Sequence, residues 1–441
     1  MSFKNWILIT IMFFALLGYC EMQGSIVWAG NETEDPASIE NMAYPLPDIP
    51  SFVVLPFQDM VDDSDLDFLS GSITGTISYA LSNMPNVFVI SWYSIPSYKG
   101  KNVTSKQVAE ELGVQYVIRG SIKKSGEKIT VNAKMIDALT GRQVWSEQYD
   151  RDFKDILEIQ DEITHNIAKN AGIKYDKIKT GERPGAGTEN LNAYLKSEEA
   201  LIRSRKLTPE NNEKIKKLYY DAIALDSNYI SPHIGLVYTY GREARFGFSE
   251  SPEKSREQAL KMAQKAIEID DSSASAHACL GRVYYDLKQH NESVSEYNKA
   301  IAINPNEADA YNAGWALCYS GRAKEAIPYF EKKKRLDPKS PWAYLGLGHT
   351  RLFQGQYEEA IPYLKKALEM NPRYFRMNLD LAACYAALGK QEEAKAAAAQ
   401  VLKASPNFSI DRFINKGLPI ESTDIVKPYI DALRKIPFPE T

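Results

Sequence analysis

Cysteine and net charge are both scarce in this sequence. The 441 residues include four cysteines: Cys20, Cys279, Cys318 and Cys384. Their wide spacing fits neither a disulfide framework nor a zinc site, so we interpret the last three as small buried side chains in helices. The formal net charge is −4, which excludes the basic excess of a typical nucleic-acid-binding domain, and we expect no nucleic acid partner.

Sequence motifs of catalysis and of cofactor binding are also missing. The chain has no G-x-S-x-G element, and Gly71–Gly75 has neither Walker nor dinucleotide spacing. The acidic run Asp62–Asp67 is followed by Phe68 and Thr74 where an EF-hand loop needs glycine and glutamate. We interpret this run as the start of a helix, where the helix dipole favours negative charge. The sequence therefore predicts a chain that is not an enzyme, with no cofactor and no metal site.

One apolar run is present, from Trp6 to Tyr19, between Lys4 and Glu21. As a helix it would span about 20 Å, short of the roughly 30 Å hydrocarbon core of a bilayer. A positive start with a short apolar run is typical of a secretory signal peptide. Lipidation of Cys20 is an alternative, because the preceding residues resemble a bacterial lipobox, and an uncleaved anchor helix is another. We expect residues 1–29 to be a signal peptide or membrane anchor, which places the rest outside the cytosol.

The next part of the chain predicts a compact α/β domain. Residues 30–47 are polar and contain proline, so we expect a tether. Residues 48–175 begin with a buried strand at Ser51–Phe57, a helix from Ser64, a second strand at Val87–Ser91 and a helix that ends at Gly113. Three alternating segments then predict an antiparallel meander, and a helix closes the domain. Glycine and proline between residues 176 and 189 predict a linker.

The second half of the chain repeats itself. Similar segments end at Pro305, Pro338, Pro372 and Pro406, with spacings of 33, 34 and 34 residues. This period is that of a tetratricopeptide repeat, a pair of antiparallel helices. Two weaker copies precede these four, so we expect about six helical pairs over residues 190–408, with a capping segment at 409–441. The predicted fold class is an α+β domain with a mixed sheet followed by an all-α solenoid.

Small residues recur where the two helices of each predicted repeat would cross. Gly281, Gly314 and Gly348 lie in first helices, and each is followed in the second helix by a bulky side chain. We expect Tyr297, Phe330 and Leu364 to fill the space above these glycines.

Both halves resemble a known arrangement. Residues 48–175, with "VVLPF", "SKQVAEELGVQYVIRGSIKKSGEKITVNAKMIDALTGRQVWSEQYDRD" and "DILEIQDEI", resemble the TolB N-terminal-like (FlgO-like) domain. This domain accompanies some bacterial class III adenylate cyclases and is followed there by tetratricopeptide repeats. The cyclase domain that precedes it in those proteins has no counterpart in this sequence. The resemblance implies an accessory domain whose ligand stays open.

First helices of tetratricopeptide repeats line the concave face, so their inward positions are candidate contact residues. In this sequence that set is Arg282, Tyr285, Tyr311, Trp315, Tyr319, Trp342, His349 and Phe353. Aromatic and arginine side chains are enriched at interface hot spots. The alternative is that several of them pack between repeats or against the N-terminal domain.

These observations predict an exported, non-catalytic scaffold of the bacterial cell envelope that binds a protein or peptide in the repeat groove. The alternative is a nucleotide or small-ligand sensor, of the cyclase-associated type, centred on the α/β domain. A structural subunit of an envelope assembly is a third hypothesis. The sequence leaves the identity of the partner and the oligomeric state open.

Overall fold

A computed structural model describes residues 33–60, 67–173, 187–414, 418–420 and 423–436. The predicted signal peptide or anchor at 1–29, with Cys20, lies outside the described residues, as do most of the acidic run 62–67 and most of the linker. Within the described part of the chain, no helix is both long enough and apolar enough to cross a bilayer.

The N-terminal region contains a mixed sheet, as predicted. Its strands and helices are β1 (Ser51–Val54), β2 (Gln58–Asp59), α1 (Asp67–Ser82), β3 (Phe88–Val89), α2 (Ser105–Leu112), β4 (Tyr116–Ser125), β5 (Lys128–Asp137), β6 (Arg142–Asp152) and α3 (Ile156–Asn170). The strand order is β3-β1-β4-β5-β6, with β2 also paired to β4. Strand β1 is parallel to β3 and β4, whereas β4, β5 and β6 form the antiparallel meander.

Alternation along β1 divides the core of this region into two layers, because successive side chains of a strand point to opposite faces. Phe52 and Val54 pack with α1 and α3 on one face. Val53 packs with α2 on the other face, in a cluster that also contains Tyr311 and Leu336 from the second half of the chain. The first cluster contains Tyr194 of the array, so both cores of the sheet are completed by residues from the second half of the chain.

The segment predicted as a tether packs on the α/β region from Thr33 onward. Thr33 bridges Arg142, and the amide of Ala43 donates to the carbonyl of Glu110 at 2.7 Å. Gly113, the left-handed cap of α2, lies so close that a Cβ there would be 2.5 Å from the carbonyl oxygen of Tyr44. The polar composition of residues 30–47 predicted a tether. The contacts that hold this segment could not be predicted from the local sequence, because they are made by backbone atoms.

The helical array contains six antiparallel pairs, as the repeat period predicts. Its helices are α4 (Leu191–Arg203), α5 (Pro209–Leu225), α6 (Ile230–Phe246), α7 (Pro252–Ile269), α8 (Ala274–Asp286), α9 (His290–Ile303), α10 (Ala313–Tyr319), α11 (Ala323–Leu336), α12 (Pro341–Phe353), α13 (Tyr357–Met370), α14 (Phe375–Ala387) and α15 (Gln391–Ala404). A 3-10 segment at Ala308–Asn312 leads into α10.

The predicted glycine crossings are present in three successive pairs. A Cβ on Gly281 would lie 3.0 Å from the ring of Tyr297, and one on Gly348 would lie 2.6 Å from Leu364. Phe330 is fully buried between two glycines, Gly314 and Gly346, where a Cβ would come within 2.8 and 2.3 Å of its ring. Because close packing leaves no room for a methyl group at these crossings, the glycines set the distance between the helices.

The described residues after α15 do not form a further stacked pair. Phe408 packs against Phe375 at the end of the array, and Phe413 packs against Phe408. The capping role of residues 409–441 stays a prediction. A last helix, α16 (Lys427–Leu433), then packs on α12 and α14. Residues 418–420 and 423–436, which we call the C-terminal segment, thus return to earlier repeats.

Candidate partner-binding surface

The first helices of successive pairs pack on one another, from α4 through α14. This arrangement places them side by side on one face of the array, the face that is concave in tetratricopeptide solenoids, and we call it the concave side. Five of the eight predicted residues form one continuous aromatic row: Tyr285, Trp315, Tyr319, His349 and Phe353. Their neighbouring ring centroids are between 5.2 and 6.4 Å apart. We call these five residues the aromatic row.

Most of the aromatic row is covered by protein. Tyr319, His349 and Phe353 are between 1% and 8% exposed, and the ring of Tyr429 from α16 lies 5.6 Å from that of Phe353. Trp315 packs edge-on against Phe330, with 5.0 Å between centroids, so part of its surface belongs to the repeat core. The row does not line an open groove, and its role in partner binding stays a prediction.

The other three predicted residues lie outside the row. Tyr311 is buried in the core that the array shares with the sheet, which fits the alternative of packing against the N-terminal domain. The guanidinium of Arg282 contacts Asp286 at 3.2 Å, and Arg245 contacts the same carboxylate at 3.0 Å. Trp342 remains 38% exposed and meets Tyr374, on the next repeat, edge-on at 5.0 Å.

A buried polar network beneath α16 was not predicted from the sequence. Asp380 on α14 accepts hydrogen bonds from the Tyr429 hydroxyl and from Nε2 of His349, both at 2.6 Å. Arg376 lies 3.9 Å from the same carboxylate and donates to the Tyr319 hydroxyl at 2.8 Å. Arg376 and Asp380 are four residues apart on a first helix, and this spacing could have marked them as a pair on its inner side.

The electrostatics of this network depend on its burial. Burial lowers the pKa of His349, although Asp380 acts in the opposite direction, so near neutral pH the ring is uncharged and donates through Nε2. Burial alone would raise the pKa of Asp380, but His349, Arg376 and the Tyr429 hydroxyl hold that pKa below its usual value. The carboxylate therefore stays charged and serves as a hydrogen-bond acceptor at the floor of the concave side.

The α/β region contacts the array at α4, at the turn after α9 and at the end of α11. On α4, the Tyr194 hydroxyl lies 3.0 Å from that of Thr76 and accepts from the side-chain amide of Gln160 at 3.0 Å. The side-chain amide of Asn306 donates to the carbonyls of Ser82 and Val87 and accepts from the amide of Val89, at 3.0 to 3.3 Å. Strand β3 is at the edge of the sheet, so Asn306 occupies the place of a neighbouring strand. Arg335 donates to the carbonyls of Leu112 and Gly113 at 3.0 and 2.7 Å. We call this contact the domain interface.

Metal chemistry gains no support from these residues. Among the residues that the structure describes, no group of three or more His, Cys, Asp or Glu side chains could hold a metal ion. Burial raises the pKa of Cys279, Cys318 and Cys384 above the ordinary thiol value, so the three described cysteines are buried thiols, as predicted.

Comparisons with known proteins identify the repeats. Residues 352–411 match the model of a tetratricopeptide repeat, and residues 281–313 match a second model, described as TPR repeat. A curated protein of Rhizobium meliloti (strain 1021), named "Putative adenylate cyclase 3", is 31% identical over 252 residues, which are 56% of this chain. The match covers 42% of that relative's length. The resemblance of residues 48–175 to a TolB N-terminal-like domain stays a prediction.

Solved structures give matches over about half of the chain. PilW, described as a widely conserved type IV pilus biogenesis factor, is 21% identical with a TM-score of 0.42, covering 50% of this chain and 96% of its own. Pseudomonas aeruginosa PilF is 17% identical with a TM-score of 0.40, covering 51% of this chain and 97% of its own. The sequence models identify tetratricopeptide repeats at residues 281–313 and 352–411, and the helical pairs around them have a similar arrangement.

Proposed function

We propose that this protein is a non-catalytic scaffold of the bacterial cell envelope that binds a protein partner through its tetratricopeptide array. Trp342 carries this proposal. It is a large apolar side chain on a first helix, exposed beside Tyr374 of the next repeat, and buried tryptophans dominate many protein interfaces. The array is of a class that generally serves protein–protein interaction rather than catalysis.

The contact surface is tested by replacing Trp342 with alanine in the full chain. Immobilised parent and variant are exposed to envelope extract, and captured proteins are quantified by mass spectrometry. Tyr220→Ala is the matched control, because Tyr220 is a similarly exposed aromatic residue (42%) on α5, a second helix. We expect Trp342→Ala to melt like the parent and to lose about tenfold or more of the specific capture. Equal capture by Trp342→Ala and Tyr220→Ala would place the contact surface elsewhere.

Export is supported by the apolar run at Trp6–Tyr19 after Lys4. Fractionation and N-terminal sequencing test it. We expect a protein in the envelope fraction, with a new N-terminus, a lipidated Cys20 or an uncleaved anchor. Recovery in the cytosol with an intact Met1 would contradict export.

A second candidate function is ligand sensing by the α/β region, and the cyclase-named relative is the observation that favours it. A ligand that binds only the folded state raises the melting temperature in proportion to its saturation. A panel of nucleotides and cyclic nucleotides would be screened against the full chain by thermal unfolding. A saturable rise with one of them would favour the sensor over the scaffold.

A further inference from the structure

The C-terminal segment lies on the concave side of the array in the manner of a bound peptide. Helix α16 packs on α12 and α14, which are first helices of the fifth and sixth pairs. Residues ahead of α16 reach the third pair, where the carbonyl of Pro419 accepts from Nε2 of His290 at 2.9 Å. The carbonyl of Ile420 accepts from Nζ of Lys288 at 3.2 Å. The segment therefore crosses several repeats rather than extending the stack.

The way in which the segment is held is also that of a ligand. Array side chains donate to its backbone carbonyls at Pro419 and Ile420, and the hydroxyl of Tyr357 donates to that of Pro428 at 3.4 Å. Its apolar side chains Ile430 and Leu433 are buried, and Tyr429 on the same helix is buried with them. Main-chain contacts with a few buried anchors are typical of peptide recognition in a groove.

The surface beneath the segment is partly polar and partly apolar. Asp380, His349 and Arg376 lie there, and Asp380 would keep its hydrogen bond from His349 and its contact with Arg376 if the segment left. Phe353 and Leu379 share a hydrophobic cluster with Ile430 and Leu433 of the segment. An empty groove would expose this hydrocarbon to water, which favours replacement of the segment by another helix over a vacant groove.

We infer that the C-terminal segment is an exchangeable internal ligand of the groove, and that a partner helix of the same chemistry displaces it. Such a helix presents a tyrosine hydroxyl to Asp380 and aliphatic side chains one and four positions later, as Tyr429, Ile430 and Leu433 do. This inference rests on the proposed function and specifies its partner class. It also explains why His349 and Phe353 of the aromatic row are covered, because the ring of Tyr429 lies against both.

The inference is tested by exchange in trans. The probe is a fluorescein-labelled synthetic peptide with the sequence of residues 418–436, and its binding to the full-length protein is followed by anisotropy. A tethered segment competes at an effective concentration of roughly millimolar, so we expect weak binding to the parent. Tyr429→Phe in the protein removes a hydrogen bond to a charged acceptor from the internal segment only, and we expect the peptide to bind roughly tenfold tighter or more.

Two controls fix the site. Tyr220→Phe makes the same chemical change on α5, where the Tyr220 hydroxyl contacts only that of Tyr240 among the described contacts, and it should bind the peptide as the parent does. A peptide in which phenylalanine replaces the tyrosine should not show the tighter binding to the Tyr429→Phe protein that the tyrosine peptide shows. Thermal unfolding of each variant confirms that it is folded.

Each outcome decides. If Tyr429→Phe protein binds the peptide no tighter than the parent, or if the phenylalanine peptide binds as tightly as the tyrosine peptide, the segment is a fixed part of the fold and the inference is wrong. If the parent and the Tyr429→Phe variant capture an envelope partner equally well, the inference is overturned and the proposed function is kept. Peptide exchange without any captured partner would show that the segment is exchangeable, and it would overturn the displacing partner helix together with the proposed function.

Discussion

The array is covered in two places, by the α/β region at the domain interface and by the C-terminal segment on α12 and α14, and the two covers are held differently. At the domain interface, Asn306 and Arg335 bond backbone atoms of the sheet and of α2, and the apolar cores of both sheet faces continue into the array. Beneath the C-terminal segment the contacts centre on a charged side chain, Asp380. The first cover is fixed by bonds to backbone atoms, whereas the second packs apolar side chains around one charged acceptor.

Asn306→Ala breaks the first cover and should have the largest effect. It leaves the amide of Val89 and the carbonyls of Ser82 and Val87 without their partner at the edge of the sheet. Each unsatisfied buried group costs about 1–3 kcal/mol, so we expect a loss of about 3 kcal/mol or more in the free energy of unfolding, measured with urea. A loss below about 1 kcal/mol would show that water replaces Asn306 and that the two covers are alike.

Trp315→Ala tests where the repeat core ends and the covered surface begins. The ring packs on Phe330 and on His349, and truncation of a partly buried tryptophan should reduce stability by about 2–3 kcal/mol. Urea unfolding measures the loss, with Trp342→Ala as the comparison, which should change stability by about 0.5 kcal/mol or less. If Trp315→Ala and Trp342→Ala lose similar amounts of unfolding free energy, the exposed fraction of a tryptophan does not distinguish the repeat core from the contact surface.

Tyr429→Phe loosens the second cover alone. The substitution removes the hydroxyl and keeps the ring, so we expect the free energy of local opening of α16 to fall by about 1.5 kcal/mol. Hydrogen exchange should show amides of α16 exchanging about tenfold faster. Amides of β1 and β4 should keep the parent's rates. Faster exchange in the sheet as well would show that the two covers open together.

Acid should weaken the second cover slightly, through His349. Burial lowers the pKa of His349 in the folded state, whereas the unfolded state keeps the usual value of about 6.5. Below that pH the unfolded state binds more protons, so stability is complete above about pH 7 and falls as the pH drops through 6.5. The groups that face the ring are Asp380, Arg376 and Tyr429.

The readout for this effect is urea unfolding at pH 7.5 and 5.5 for the parent and for His349→Gln. Burial also lowers the pKa of His233, so only the difference between the two proteins reports on His349. We expect the parent to lose up to about 1 kcal/mol more than the variant over this interval. Parallel pH profiles would mean that His349 is solvated in the folded protein.

The sequence predicted the elements well because their signals are local. The alternation in β4 to β6, the left-handed Gly113 and the crossings of Gly281 and Gly348 each depend on residues that are close in the chain or repeat at a fixed period. The same period brought five predicted inner residues together in the aromatic row. Local patterns were enough for the fold and for the orientation of the first helices.

The covers could not be predicted because they depend on pairs that are distant in sequence. His290 meets Pro419 across 129 residues, and Asn306 meets Val87 across 219. Neither pair has a spacing that any repeat or helix period would produce. Tyr311 illustrates the result: packing against the N-terminal domain was one alternative for the predicted residues, but the sequence did not indicate that Tyr311 was the one to which it applies.

The bonds of Asn306 have a consequence for the order of synthesis. Strand β3 and the open face of the sheet emerge from the ribosome more than 200 residues before the side chain that covers them. Until then this edge has unpaired backbone groups and an incomplete core, the features that invite aggregation during folding. We expect the nascent chain to depend on chaperones in that interval, and a gene truncated after the α/β region to yield insoluble protein.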